Sequence, residues 1–101
     1  MKAGNTGAGG VLPDATMRID KFLWFARLAP SRSAAQSLAE AGTIRLDGRR
    51  IDRAHALVRA GCVIAFVQGG AVRVLRIDVL PKRRGPAAEA AQLYSDLAHQ
   101  S

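Results

Sequence analysis

The sequence predicts an α+β domain in which two N-terminal helices pack on a small antiparallel sheet of about four to five strands, followed by a C-terminal helix. Three observations favour this class. Apolar residues recur at helical spacing up to Gly42, alternate as in strands after it, and return to helical spacing after Pro86. With 101 residues, 49% of them hydrophobic, the chain can bury one modest core, and its length excludes a multidomain enzyme with its own cofactor fold.

Two helices are predicted before the sheet. Asp20 is a favourable N-cap for the first, which is expected to end at Pro30 because proline interrupts helical hydrogen bonding. Ser31 is expected to cap a second helix over 32–41, and Gly42 stands where a left-handed helix stop belongs. The side chains expected to face the core are Leu23, Ala26, one or both of Phe22 and Phe25, Ala35, Leu38 and Ala39.

The sheet is predicted to begin directly after the second helix. The stretch 43–46 alternates in polarity, with Ile44 and Leu46 pointing inward, and Asp47-Gly48 is a two-residue hairpin signal. The rest of the sheet region is expected to contain an irregular connection over 52–60 and strands at 63–67 and about 72–79.

A C-terminal helix is predicted from Ala87 to about His99. Its alanine-rich sequence has an apolar stripe at helical spacing, made of Ala90, Leu93, Tyr94 and Leu97. We expect this stripe to pack on the domain because so short a chain needs the burial; contact with a protein partner is the alternative. The expected organisation is a flexible glycine-rich tail over 1–16, a folded domain over 17–80, and a basic linker with the C-terminal helix over 81–101.

The charge balance points to a polyanionic partner. Fifteen lysines and arginines against eight acids give a formal charge of +7, and residues 18–84 hold 14 of the bases with only five acids. Twelve of the 15 bases are arginine, the residue best suited to bidentate phosphate recognition. The bases are dispersed over helices, turns and strands rather than along one amphipathic helix, which favours nucleic acid over a membrane surface.

The chain's first ten residues hold four glycines and no hydrophobic run, so they are expected to be neither a signal peptide nor a membrane span. A cytoplasmic location is therefore the expectation.

The strongest candidate site combines the start of the second helix with the hairpin that follows it. Free backbone N–H groups at a helix start favour an anion, and the guanidinium of Arg32 adds a bidentate donor beside them. We expect Lys21, Arg27, Ser33, Gln36, Arg45, Arg49 and Arg50 to join Arg32 on one continuous basic surface. Trp24 could stack a base, but packing against the protein is the favoured interpretation.

Catalytic and metal sites find little support in the sequence. The single cysteine, Cys62, excludes an internal disulfide and is expected to be a small buried residue. His55 and His99 have no metal-ligand spacing, and no Ser/His or Cys/His arrangement or phosphate-binding glycine loop is present. We therefore expect no catalytic residues, no metal and no cofactor.

Several segments resemble a known family. The stretches RIDKFLW (18–24), SRSAAQ (31–36) and AGTIRLDGRRI (41–51) resemble, in order and spacing, the alpha-L RNA-binding motif first described in small-subunit ribosomal protein four. This likeness covers about residues 18–67. RVL (73–75), KRRGPAAEA (82–90) and the following Leu93-Tyr94 are similar to the bacterial heat-shock protein fifteen branch of that family.

The resemblance implies a ribosome-associated RNA-binding protein, which we expect to be non-enzymatic, monomeric and cytoplasmic. It implies binding to ribosomal RNA of dissociated large subunits that carry peptidyl-tRNA, and help in recycling stalled translation. The RNA-binding residues it implies are Arg18, Lys21, Arg27, Ser31, Arg32, Ser33, Gln36, Arg45, Gly48, Arg49 and Arg50. Lys82, Arg83 and Arg84 either extend this surface or form a solvated linker. Two positions depart from the family pattern: Asp47 replaces an asparagine, and Gly61-Cys62 replaces Gly-Asp.

Two other functions remain open from the sequence. One is a general DNA- and RNA-binding protein of the nucleoid type, because contact with phosphates is largely blind to sequence. The other is the RNA-binding remnant of an RNA-modifying enzyme, which the short remainder of the chain disfavours.

Overall fold

The computed structural model describes residues 15–97, which form three helices and seven strands. Most of the glycine-rich tail predicted for 1–16, and His99, lie outside the described residues. The helices are α1 (Ile19–Phe25), α2 (Arg32–Glu40) and α3 (Ala87–Ala90). The strands are β1 (Met17–Arg18), β2 (Ile44–Leu46), β3 (Arg49–Ile51), β4 (Leu57–Val58), β5 (Val63–Gln68), β6 (Ala71–Ile77) and β7 (Tyr94–Asp96). The architecture confirms the α+β prediction.

The second helix forms as its sequence predicts. The side-chain oxygen of Ser31 accepts a hydrogen bond from the backbone N–H of Ala34 at 3.0 Å, which satisfies one of the free donors at the helix start. After the helix, Gly42 adopts a φ of +78°. Glycine adopts this left-handed conformation without the steric cost of a Cβ, so the chain can leave the helix and enter β2.

The first helix differs from the prediction at both ends. Arg18 is its N-cap, and Asp20 lies inside the first turn instead of capping it. The helix ends at Phe25 rather than at Pro30. Its end is a Schellman motif, because Leu28 N–H donates to the Leu23 carbonyl and Arg27 N–H to the Trp24 carbonyl. The left-handed position is held by Arg27, at a φ of +60°, where glycine is usual.

Five strands form one antiparallel sheet in the order β3-β2-β5-β6-β7, and β1 pairs separately with β4. The β2–β3 turn has positive φ at both Asp47 and Gly48, which makes it the type I′ turn that the sequence signal predicts. Asp47 also accepts a hydrogen bond from Val63 N–H at 2.9 Å, so its carboxylate ties the turn to β5. The irregular connection predicted over 52–60 contains the short strand β4.

The core lies between the two long helices and one face of the sheet. All four of Phe22, Leu23, Phe25 and Ala26 are buried, and Leu23 packs in the same cluster as the sheet residues. From the sheet, the fully or almost fully buried members are Ile44, Ile64, Phe66, Leu75 and Ile77. Leu46 and Leu38 are partly buried against this cluster, and Cys62 is buried in it as predicted. Burial of these side chains supplies the main driving force for folding.

The prediction of a C-terminal helix from Ala87 to about His99 was wrong in extent. Only α3 forms, after which the chain turns and Tyr94–Asp96 pairs with β6. Alanine-rich spacing favours a helix locally, but the outer edge of β6 has backbone groups that need partners. Leu97 N–H donates to the Val74 carbonyl at 2.7 Å, and β7 closes that edge. Leu93 and Tyr94 still pack against the core, as predicted.

Within residues 15–97, no helix has the length and apolar character needed to cross a membrane.

Candidate functional site

The carboxylate of Asp20 joins the starts of α1 and α2, and its side chain is completely buried. Arg18 binds it twice, from Nε to Oδ1 and from Nη2 to Oδ2, each at 3.1 Å. Arg32 donates from Nε to Oδ2 at 3.2 Å, and Gln36 donates from Nε2 to Oδ2 at 3.3 Å. The backbone N–H of Lys21 donates to Oδ1 at 2.8 Å. The four side chains of Asp20, Arg18, Arg32 and Gln36 form the Asp20 cluster.

The Asp20 cluster carries a net positive charge that faces solvent. Burial raises the pKa of Asp20, but the hydrogen bonds from Arg18, Arg32, Gln36 and Lys21 N–H outweigh it and hold this pKa below its usual value. The carboxylate is therefore ionised at neutral pH, and two guanidinium groups surround one carboxylate. The side chains of Arg18 and Arg32 are 44% and 36% exposed, so the excess charge is available to a ligand.

Sequence reasoning missed the role of Asp20. The available signal was an acid at the start of a helix, which is typical of a cap or a helix-dipole contact. Its contacts with Arg32 and Gln36 depend on the packing of α2 against α1, and the linear sequence does not show that packing.

The first turn of α2 places two predicted serines differently. The Ser31 hydroxyl oxygen caps the helix by accepting from Ala34 N–H, so its predicted part in RNA binding has to coexist with a structural one. Ser33 is exposed in the first turn. Lys21, on α1, places its Nζ 5.3 Å from the ring centroid of Phe25, a cation–π geometry.

The β2–β3 hairpin presents Arg45, Gly48, Arg49 and Arg50, all exposed. Arg45 and Arg50 face each other directly across the two strands, so they share the sheet face opposite the core. Arg49 pairs with Leu46 and therefore lies on the core-side face, beyond the buried region. None of the ion pairs within residues 15–97 involves these three arginines.

The hairpin and the Asp20 cluster lie at opposite ends of α2. Arg32 begins this nine-residue helix, and a helix of that length spans about 13 Å. At its far end, Arg50 Cζ lies 3.8 Å from the position that a Cβ on Gly42 would occupy. The positive charge that the sequence predicts on one continuous surface thus lies at the two ends of α2.

Arg53 adds a basic side chain that the sequence analysis did not select. Just after it, the carbonyl oxygens of Ala54 and Ala56 accept hydrogen bonds from Asp20 N–H and Ile19 N–H at 3.3 and 2.8 Å. These bonds hold the segment against the start of α1, with Arg53 exposed beside it. Ala54, Ala56 and Val58 are buried in alternation with exposed neighbours, but small alanines give only a weak hydrophobic signal, and the sequence analysis assigned the segment to an irregular connection.

Two predicted basic residues connect α1 with the C-terminal segment. Arg27, which the sequence predicts to lie on the same basic surface as Arg32, donates from Nε to the Gly85 carbonyl at 2.7 Å, so this nitrogen is held by the C-terminal segment and not by Asp20. Arg84 donates from Nε to the Trp24 carbonyl at 3.2 Å, and its Cζ lies 6.0 Å from the centroid of the Trp24 ring. Trp24 itself packs against the core, as favoured from the sequence.

The other bases of the 82–84 run are exposed. Arg83 pairs with Glu89 at 3.2 Å, with both side chains more than half exposed, and Lys82 lies beside it. The solvated-linker interpretation is therefore wrong for Arg84, which is docked on α1, and open for Lys82 and Arg83.

The Cys62 thiol, from the one cysteine of the sequence, lies outside the Asp20 cluster and the hairpin. Burial raises the pKa of the Cys62 thiol, so the thiol is protonated at neutral pH and is a weak nucleophile. Between residues 15 and 97, no group of three His, Cys, Asp or Glu side chains is placed to hold a metal ion.

Comparisons with known proteins match the helices, the hairpin and the fold as a whole. The S4 domain model matches residues 17–64, which include α1, α2 and the hairpin. A solved structure of heat shock protein 15 from Vibrio cholerae is 33% identical, has a TM-score of 0.77, and is matched over 83% of this chain and 84% of its own. The chain belongs to the heat shock protein 15 family. The Vibrio protein is described as trimeric.

Two further members of the heat shock protein 15 family match over a large part of the chain. Heat shock protein 15 of Escherichia coli K12 is 31% identical over 86 residues, which are 85% of this chain and 64% of that protein. The Aeromonas salmonicida homolog is 35% identical over 80 residues, which are 79% of this chain and 60% of that protein. The chain thus spans less than two thirds of the length of these curated relatives.

Proposed function

We propose that this member of the heat shock protein 15 family is a small, non-catalytic RNA-binding protein that acts on the ribosome. In this proposal it binds ribosomal RNA of dissociated large subunits that carry peptidyl-tRNA, and it helps to recycle stalled translation. The observation that carries the proposal is the display of arginines by two helix starts and a hairpin of one S4 domain.

The arrangement of the hairpin arginines is evidence for phosphate binding, because it lowers the stability of the fold by charge repulsion. Like charges directly opposite each other on neighbouring strands destabilise a sheet. Arg45 and Arg50 are such a pair, and no ion pair with an acid of residues 15–97 offsets their repulsion. A phosphate backbone lying across both side chains would remove that repulsion on binding.

Folded RNA fits the spacing of the charges better than a uniform duplex. The Asp20 cluster and the hairpin are separated by the length of α2, about 13 Å. Such a surface matches the uneven phosphate positions of a folded RNA element, which proteins recognise largely by shape. Duplex DNA is the competitor that tests this preference.

A non-catalytic role fits the chemistry of the described residues. The buried carboxylate of Asp20 accepts hydrogen bonds from two arginines and a glutamine, so it is not free to accept a proton from a substrate. The Cys62 thiol is buried and protonated. Modification of ribosomal RNA by the purified chain would overturn this part of the proposal.

The expectation of a monomer differs from the trimer described for the Vibrio relative. On the outer face of the sheet, Val67 and Val72 are 53% and 63% exposed, which leaves an apolar area uncovered. Sedimentation equilibrium at several protein concentrations decides between the two states. The mass of a single chain at every concentration supports the monomer, and a mass three times that of a single chain supports a trimer.

Sucrose-gradient fractionation tests the ribosomal target. We expect epitope-tagged protein from stressed cells to co-migrate with free large subunits, and a variant with Arg45, Arg49 and Arg50 changed to Gln to move to the top of the gradient. A variant in which Arg73 and Arg76 of β6 are changed to Gln removes positive charge outside the candidate RNA-binding residues and serves as the control. Wild-type protein found only at the top of the gradient would contradict the proposal.

A further inference from the structure

We propose that Arg18 and Arg32 form a two-guanidinium clamp for one RNA phosphate group, and that Asp20 is the positioning residue that sets both guanidinium groups. This inference rests on the proposed RNA-binding function and deepens it. It assigns to one pair of side chains a ligand of one chemical class, a phosphodiester oxygen pair.

The proposed clamp follows from which guanidinium nitrogens of Arg18 and Arg32 donate to the Asp20 carboxylate and which do not. Arg32 gives only its Nε to Asp20, which leaves the N–H groups of both terminal nitrogens without an acceptor among residues 15–97. Arg18 uses Nε and Nη2, which leaves Nη1 and one N–H of Nη2. In both side chains the inner edge of the guanidinium is bound by a buried acid, while the side chain is partly exposed.

A guanidinium fixed in this way is prepared for an anion. An arginine free in solvent loses rotational freedom when it binds phosphate, and this loss weakens binding. Here the Asp20 hydrogen bonds have already restricted both side chains in the folded protein, and Gln36 completes the set of donors on Oδ2. The buried carboxylate also keeps two like charges close together, where one phosphate can reach both.

Lysine cannot replace arginine in this arrangement. A lysine has one nitrogen, so it either binds Asp20 or turns outward and leaves the buried carboxylate without that partner. At Arg49, which forms no ion pair with an acid of residues 15–97, an ammonium and a guanidinium differ much less. Comparing the RNA affinities of R32K and R49K therefore shows whether Arg32 needs the geometry of a guanidinium or only its positive charge.

Whether Asp20→Asn strengthens or weakens RNA binding shows whether Asp20 positions the two arginines or only lowers the net charge. Asp20→Asn makes the protein more positive by one charge, and charge alone would strengthen its binding to RNA. If Asp20 positions the two arginines, the same change weakens binding, because an amide offers one acceptor oxygen and turns N–H donors toward the guanidinium groups.

Filter binding with labelled large-subunit ribosomal RNA tests the clamp. For variants with circular dichroism spectra and melting temperatures close to the wild type, we expect R32K to weaken binding about tenfold or more and R49K by less than about threefold. We expect D20N to weaken binding as well. Equal losses for R32K and R49K, or tighter binding by D20N, would overturn the clamp. If D20N does not fold, the comparison of R32K with R49K decides, since both positions are partly or fully exposed.

The same assay distinguishes the two levels of the proposal. A wild-type protein that fails to bind the ribosomal RNA contradicts the proposed function. A wild-type protein that binds, with R32K binding equally well, leaves the function standing and removes the clamp. The salt dependence gives a readout that a purely structural role does not change: the slope of log K against log salt should fall by about one for a folded R18Q/R32Q variant, which empties the clamp, and remain unchanged for a folded Q68A control.

Discussion

Arg27 Nε lies 2.7 Å from the carbonyl oxygen of Gly85, so the residue that ends α1 in a left-handed conformation also holds the chain 58 residues later. A non-glycine residue in this conformation costs roughly 1–2 kcal/mol. The bond to Gly85 and the burial of Leu28 in the Schellman motif offset that strain.

Comparing two substitutions at Arg27 separates the backbone strain at this residue from its hydrogen bond to Gly85. Arg27→Ala keeps the strain and loses the hydrogen bond, so we expect the free energy of unfolding to fall by about 1–2 kcal/mol. Arg27→Gly loses the same bond but removes the strain, and it should be about 1 kcal/mol more stable than the alanine variant. Urea denaturation measures the difference; an alanine variant as stable as the glycine variant would show that the conformation carries no strain.

Substitution of the neighbouring residues Arg84 and Arg83 should reduce the stability of the fold by different amounts. Arg84 donates to the Trp24 carbonyl and lies over its ring, so Arg84→Ala should cost about 1–2 kcal/mol and speed hydrogen exchange in residues 81–86. Arg83 forms only an exposed ion pair with Glu89, and Arg83→Ala should cost less than about 0.5 kcal/mol. Equal losses for the two variants would show that the segment is not docked through Arg84.

Substitution of Arg45 should affect stability and RNA binding in opposite directions. Arg45→Gln removes the repulsion with Arg50, so we expect it to stabilise the fold by about 0.2–1 kcal/mol while weakening RNA binding. Arg76 lies on the same sheet face but donates to Asp78 at 2.9 Å, so Arg76→Gln should give no such gain. Thermal melts and filter binding on the same samples check both directions. A destabilised R45Q would mean that Arg45 has a stabilising contact in the fold.

Acid should destabilise the protein partly through Asp20. Its pKa is lowered in the folded state, so its contribution is complete above the unfolded value near 3.8 and is lost as the pH falls through the lower folded value. We expect the free energy of unfolding to decline between about pH 5 and about pH 2, with a shallower decline in D20N. Asp52→Asn is the control, since this acid is exposed and forms no ion pair within residues 15–97. An equally steep decline in wild type and D20N would contradict the assignment.

Local signals in the sequence predicted most of the fold correctly. The Ser31 cap, the Gly42 stop and the Asp47-Gly48 turn are each determined by a residue's own backbone and side-chain chemistry, and each forms as predicted. The stretch 91–97 was assigned wrongly because its apolar spacing suits a helix, whereas pairing with β6 is a tertiary interaction. Secondary structure of this kind depends on which backbone groups remain unpaired elsewhere in the fold.

The candidate site was predictable in its residue types but not in its arrangement. Arginine content and helix starts indicated phosphate contacts, and Arg18, Arg32 and Gln36 do meet in one cluster. The acid that brings them together was taken for a cap. Arg27 had been assigned to the same surface, but its side chain is bound to Gly85, a contact between residues that are distant in sequence.

The salt dependence of wild-type binding to large-subunit ribosomal RNA tests the central claim most directly. If the Arg18–Arg32 clamp contacts one phosphate, and Lys21 and the three hairpin arginines contact one each, about five phosphates are neutralised, and log K should fall against log salt with a slope of about −3.5 to −4.5. Removing the hairpin arginines should reduce the slope by about three. A wild-type affinity that stays constant across the salt range would contradict the claim that this surface binds RNA through its phosphates.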